Sequence, residues 1–502
     1  MKKLVKSGCA VITLAILAAC GGGGGGGAPS GAGSEPSIAE QAQAVAGRLD
    51  ALLQTAIPTT AAAALSIDDS CFLNNGNTKA MLSAEIDADI PEYVAANAYR
   101  IGSTRTNIRV TAERNITNAD GSARTEADVL YDINYTDGSK DIDAVNTVVT
   151  GSTTGLCATP QNSAESRFLG NQRIVGFNVR ARNVRNEQYN KTTGALLTQA
   201  VTYNNGLQFN VTDPQGLATY AVVTGPGTAT VSGVATPFSI KLVSTRLLKD
   251  DPFLAGKPNN FTNWKAADAF RICRAASSNN QVPASAADCL NAGGNSRGVT
   301  LPVPTTGLVP PQAIAFFDTE FVKLGFVVGG TYTVKIYNDA GWKTVNGEAG
   351  KAPIATYIAV NETLPYTFAQ MVGGNGLDDH KFAKLVSSSL TPIQTAAALS
   401  SSTPGTLDIS WTAPAAQSDG RLFRFTEVGE FFQGAKTGNL LGAFNPAERY
   451  YKPTYFTGNT TAANGLAITS TPSSIVDKSY SEFSLNYTDR NNARMISLVT
   501  FQ

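Results

Sequence analysis

The chain has 502 residues, with 39 Lys and Arg balanced by 39 Asp and Glu and a single histidine. Charged residues make up 16% of it, against about 25% in an average soluble domain, and no polybasic run offers a nucleic-acid footprint. One imidazole excludes any zinc site that needs two, and no P-loop, H-E-x-x-H or EF-hand loop occurs, so neither a metal nor a cofactor is expected.

At the start, Lys2, Lys3 and Lys6 form a positive region. Cys9 to Ala19 is an apolar run long enough for the core of a signal peptide and too short to span a bilayer. It ends in Leu17-Ala18-Ala19-Cys20. That tetrapeptide resembles the lipobox of bacterial lipoproteins. The resemblance implies removal of residues 1–19, diacylglycerol on the Cys20 thiol and acylation of the new amine. Several acyl chains, at roughly 0.8 kcal/mol per buried CH₂, anchor far more firmly than one. Gly21, where an Asp would retain such a protein at the inner membrane, implies the outer membrane, facing the periplasm or the exterior. No later apolar run is long enough for a transmembrane helix. The glycine run Gly21–Gly27 and the Pro- and Gly-rich stretch after it read as a tether with a reach of about 20–25 Å.

Past the leader, 36 basic residues face 39 acidic ones, and the length suggests about three domains. Four cysteines remain: Cys71, Cys157, Cys273 and Cys289. An even number in an oxidising compartment reads as disulfides. Three pairings are possible. Cys273 and Cys289 are close enough in sequence to close a local loop worth about 3 kcal/mol, which leaves Cys71 with Cys157.

Ser37-Ile-Ala-Glu40 is a capping-box start. Ile38, Ala42, Val45, Leu49, Leu52 and Ala56 then form one helical stripe, stopped by Pro58. A second helix is predicted over 78–87. Glu85, Asp87 and Asp89 read either as its solvated end or, if extended, as a calcium lip. The period then changes to two. Ile108, Val110 and Ala112 alternate with polar residues, as do Val129, Tyr131, Ile133 and Tyr135, with turns at 118–121 and Thr136-Asp137-Gly138. Arg167-Phe-Leu-Gly-Asn-Gln-Arg173 and a strand at Ile174–Val179 close the set. This order of helix pair, antiparallel meander and R-F-L-G-N-Q-R segment resembles the nuclear transport factor two-like fold, which does not fix a function. Arg180 and Arg182, near Arg173 and Arg185, are a candidate anion stripe, unless Glu113, Glu126 and Asp128 neutralise them.

From Val201 onward, strands and turns dominate. Leu207–Gly216 and Thr331–Gly341 look like strands and an exit turn of a bacterial immunoglobulin-like domain, with the Cys273–Cys289 loop inserted between them and a short helix near Lys265–Ile272. Leu407-Asp-Ile-Ser-Trp411-Thr-Ala-Pro414 resembles the early L-x-I-x-W-x-x-P strand of fibronectin type III domains, in which the Trp fills the core. Phe483-Ser-Leu485-Asn-Tyr487 repeats the apolar pattern of Tyr332-Thr-Val334-Lys-Ile336, as two successive sandwich modules would.

The predicted architecture is mainly β with an α+β N-terminal domain. Residues 1–19 are the signal peptide and 20–37 the lipidated Cys and tether. A helix pair plus curved sheet follows at 38–195, an immunoglobulin-like sandwich at 200–345 and a fibronectin type III-like sandwich at 350–502.

Catalytic constellations are scarce. Gly294-Asn-Ser296-Arg-Gly298 fits G-x-S-x-G without the strand and helix that a nucleophile elbow needs. Asp378 and His380 share a face on a strand or are solvated in a turn. Phe423–Phe456 is rich in aromatics, and Tyr450, Tyr451, Tyr455 and Phe456 are the candidate ligand surface; core packing is the alternative. The functional expectation is a lipid-anchored envelope protein with a non-enzymatic binding or structural role toward a glycan or envelope protein. The alternative, a carboxylate-based envelope hydrolase, needs two buried carboxylates some 5–10 Å apart in a cleft.

Overall fold

The computed structural model describes residues 36–117, 123–136, 138, 140–151, 166–190, 192–231, 234–244, 270–273, 298–300, 325–343, 346–367, 370–371, 382–388, 405–412, 414, 424–434, 449–454, 465–470, 478–489 and 493–501. The signal peptide, Cys20, the tether up to residue 35, Cys157, Cys289, Ser296, His380, Tyr455 and Phe456 lie outside them.

The first unit begins with α1 (Ile38–Leu52). Its capping box is formed: Glu40 N–H donates to the Ser37 hydroxyl, and Ser37 N–H donates to the Glu40 carboxylate at 2.8 Å. Two orphan donors of the first turn are satisfied by that exchange. There follow α2 (Ala61–Ala64), a hairpin of β1 (Leu73–Asn74) and β2 (Asn77–Thr78), α3 (Lys79–Ala88) and α4 (Ile90–Asn97). Glu85 and Asp87 lie within α3 and Asp89 caps it, so the helix-end reading of these carboxylates holds.

An antiparallel sheet comes next, made of β3 (Thr104–Thr117), β4 (Ala123–Asn134), β5 (Lys140–Gly151) and β6 (Arg167–Gly170) in that order. One face of β4 supplies Ala127, Val129, Tyr131 and Ile133 to a core closed by Ala42 and Val45 of α1. Charges line this sheet in pairs. Arg114 reaches Asp128 at 2.7 Å, and Arg124 reaches Glu126 at 2.6 Å.

The remaining strands are β7 (Gly176–Tyr189), β8 (Leu196–Thr212), β9 (Tyr220–Val231), β10 (Val234–Ser244), β11 (Phe270–Cys273), β12 (Gly298–Thr300), β13 (Gly330–Tyr337) and β14 (Ala355–Asn361). After them come β15 (Lys384–Ser388), β16 (Gly405–Thr412), β17 (Arg424–Gly434), β18 (Arg449–Thr454), β19 (Gly465–Ser470), β20 (Lys478–Thr488) and β21 (Arg494–Phe501). They form a five-stranded sheet in the order β11-β10-β9-β13-β14, a seven-stranded sheet β12-β8-β7-β21-β20-β17-β18, and a three-stranded sheet β15-β16-β19.

A single apolar core joins these sheets. Phe209 of β8 sits 5.2 Å from Phe238 of β10 and 5.1 Å edge-on from Tyr332 of β13. Trp411 of β16 is buried in the same core and donates its indole N–H to the Tyr487 hydroxyl at 2.7 Å. A buried indole N–H without such an acceptor would cost about 1–3 kcal/mol.

The expected domain boundaries at 195/200 and 345/350 are not those the sheets make. β7 from the first segment pairs with β8 from the second and, in parallel, with β21 at the end of the chain, from Arg494 opposite Arg182 to Phe501 opposite Tyr189. β14, from the third segment, pairs with β13 of the second. Periodicity marks which segments are strands, but partners distant in sequence leave no local trace.

Three further expectations are corrected. The strand beginning near Ile174 joins the seven-stranded sheet rather than the meander. Phe270–Cys273, expected at the end of a short helix, is strand β11 beside β10. The two similar runs at 332–336 and 483–487 are strands of different sheets that meet in one core, rather than matching strands of successive modules.

Candidate functional site

A set of polar side chains converges where the helix-bearing unit meets the large sheets. The local sequence Leu73-Asn-Asn-Gly-Asn-Thr78 forms the β1–β2 hairpin, with Asn75 at φ 51° and Gly76 at φ 86° as its two central residues. Positive φ at both centres is the requirement of a type I′ turn, and Asn-Gly is the pair that meets it with least strain. A Cβ on Gly76 would lie 2.6 Å from the Pro214 ring and 2.7 Å from the Ile174 carbonyl, so the hairpin tip needs glycine for contact as well.

The chain leaving β6 docks on this hairpin. Gln172, at φ 53°, donates its N–H to the Leu73 carbonyl at 2.9 Å. Asn171 gives its side-chain amide to Asn75 at 2.8 Å and accepts the Asn75 N–H at 3.0 Å. Gly76 N–H reaches the Arg173 carbonyl at 2.7 Å. One residue on, Ile174 N–H donates to the Tyr357 hydroxyl on β14 at 3.0 Å. Cys71, just before the hairpin, is disulfide-bonded. Two non-glycine residues in the left-handed region, each costing of order 1–2 kcal/mol, mark the kind of over-determined backbone that gathers at functional sites.

Arg173 lies at the centre of this joint. It is 8% exposed, and its guanidinium carbon stands 5.2 Å over the Tyr357 ring. Burial pulls its pKa below the ordinary arginine value, with Tyr357 acting weakly in the other direction. The guanidinium makes no hydrogen bond or ion pair among the described residues, and its Nη1 is sealed from solvent with no acceptor. Taking a charge of this size out of water costs several kcal/mol unless something compensates.

Other buried cations are compensated: Arg105 pairs with Asp50, Arg185 with Glu187 at 3.2 Å, and Lys241 on β10 with Glu348. Lys241 is 6% exposed, stands 5.5 Å over the Tyr220 ring, and reaches Glu348 at 2.7 Å. Tyr220 is stacked on Tyr337 at 4.7 Å, so the lysine rests on a double aromatic floor.

The residues singled out from the sequence fare differently. Arg180 and Arg182 lie half-buried on β7, each already engaged with neighbouring groups. Glu126 and Asp128, expected as their neutralisers, are held instead by Arg114 and Arg124. Tyr450 and Tyr451 belong to β18, paired opposite Phe432 and Phe431 at the edge of the seven-stranded sheet. Cys273 is the last residue of β11. Two of the buried carboxylates serve turns: Asp213 accepts from Leu217 and Ala218 N–H, and Asp489 from Ala493 N–H and the Tyr366 hydroxyl; burial pushes the pKa of a third, Asp68, up to about 6. No group of three or more potential metal ligands occurs among the described residues, and no helix in them is long and apolar enough to cross a membrane.

Sequence reasoning missed the joint, although Asn75-Gly76 between two short polar runs carried the signal. No family model matches the chain, and neither does any curated protein. Among solved structures it is similar to the crystal structure of a tetra-tandem repeat in the extending region of a large adhesion protein, at 9% identity and a TM-score of 0.15, over 78% of this chain and 72% of that one.

Proposed function

We propose that the chain is a lipid-anchored protein of the outer membrane with a non-enzymatic binding or structural role, directed at a glycan or an envelope protein. The anchor is read from Leu17-Ala18-Ala19-Cys20 and the glycine tether. The observation that carries the binding role is the Arg173 joint: a buried cation with unspent donors, set beside a phenol. Such a group holds an acceptor in place. Turning a substrate over also takes a nucleophile or an acid–base pair, and the buried Asp213 and Asp489 carboxylates are occupied with backbone N–H groups. Tyr450, Tyr451, Tyr455 and Phe456 remain a second candidate surface of the same function.

Cys20→Ser, followed by fractionation, tests the anchor. An unprocessed precursor is expected, and normal processing to a soluble form would overturn the assignment. Incubating the purified chain with envelope glycans and peptides tests the role; release of any product would replace binding with catalysis.

A further inference from the structure

We infer that Arg173 and Tyr357 form a binding site for a carboxylate group. Lys241, Arg114 and Arg124 each reach a carboxylate. Arg173 reaches none among the described residues. Its side chain presents five N–H donors in a planar fork, none of which meets an acceptor among the described residues. Tyr357 accepts the Ile174 N–H through its hydroxyl oxygen, and its own proton has no acceptor among those residues.

Two unspent donors on side chains in ring contact suit a planar anion with two oxygens. A carboxylate matches the guanidinium fork in bidentate fashion. The groups around it are neutral. Asn75 and Asn171 are locked to each other, and Gln172 amide donors are spent on the Cys71 and Leu169 carbonyls. Burial and Tyr357 are the influences on the Arg173 charge, and no carboxylate of the described chain offsets it. The joint is also rigid where precision is needed. Left-handed Asn75 and Gln172 and the constrained Gly76 fix the backbone on both sides of Arg173. A ligand carboxylate would thus meet donors whose ordering cost was met on folding.

The inference rests on the joint being a binding site, and its failure is separable from that of the proposed function. Turnover of a substrate would sink the non-enzymatic reading without touching carboxylate binding. The test is thermal unfolding of the full chain in detergent, with acetate titrated against chloride at constant ionic strength. A saturable rise in Tm, about several degrees at a large excess of acetate over Kd, is expected. Arg173→Met should abolish the rise, and Tyr357→Phe should weaken acetate at least severalfold while keeping the ring beneath the guanidinium. If Arg173→Met does not fold, Tyr357→Phe carries the test alone. Glucuronate and N-acetylglycine distinguish a sugar acid from a peptide carboxylate, and equal responses to both support recognition of the carboxylate itself. No response beyond chloride, or the same response in both variants, overturns the proposal.

Discussion

Two buried cations, Lys241 and Arg173, each rest on a tyrosine ring, and they differ in one respect. Lys241 has Glu348 at 2.7 Å; Arg173 has no carboxylate among the described residues. The first sits under the loop that follows β13 and closes an electrostatic account within the chain. The second sits where the helix-bearing unit meets the large sheets and leaves that account open. A buried pair contributes mainly by not being broken, because removing one partner strands the other. An unpaired buried cation works the other way: removing it relieves a cost, and adding an anion does the same.

The largest effect expected from this contrast is at the closed pair. Lys241→Met should destabilise the protein by about 3 kcal/mol, since Glu348 loses its counter-charge in a partly buried position. Denaturant titration measures it, and the loss should shrink in a Lys241→Met/Glu348→Gln double variant. If the double variant is as unstable as the single, packing rather than charge holds the cluster.

Asp68, a buried carboxyl at 9% exposure, makes stability depend on pH. Burial pushes the Asp68 carboxyl up to about 6, against the opposing attraction of Lys79, Arg100 and Arg167. A carboxyl whose pKa is raised on folding binds its proton more tightly in the folded state. Its contribution is therefore fully present below about pH 4 and lost as pH rises through 6, a swing of about 3 kcal/mol. Asp68→Asn should flatten that stretch of the stability profile and leave the variant more stable than wild type at pH 7.5. An unchanged slope between pH 4 and 7 in the variant would remove Asp68 from the account.

Much of the strand content was legible in the sequence, and the assembly was not. Val129, Tyr131 and Ile133 alternate as the buried face of β4 does, and Ser37 with Glu40 announced α1. Leu407–Trp411 read as a strand that buries its Trp, and it does. What period-two patterning cannot say is that β21 pairs in parallel with β7, some three hundred residues earlier. The candidate site was hidden for a related reason. Asn171, Gln172 and Asn75 are polar residues in short connections, and their importance comes from one another across about a hundred residues of sequence. Arg173 was visible as one of several arginines. Only the surroundings distinguish it from Arg180 and Arg182, which have partners.

The most direct test of the central contrast is the equilibrium stability of Arg173→Met at low ionic strength without added carboxylate. An arginine with no counter-ion predicts little loss, within about 1 kcal/mol of wild type, or a gain, because the relief of charge burial offsets the lost stacking on Tyr357. A loss of about 3 kcal/mol or more, equal to that of Lys241→Met, would mean that Arg173 is paired within the chain, and the account would be wrong.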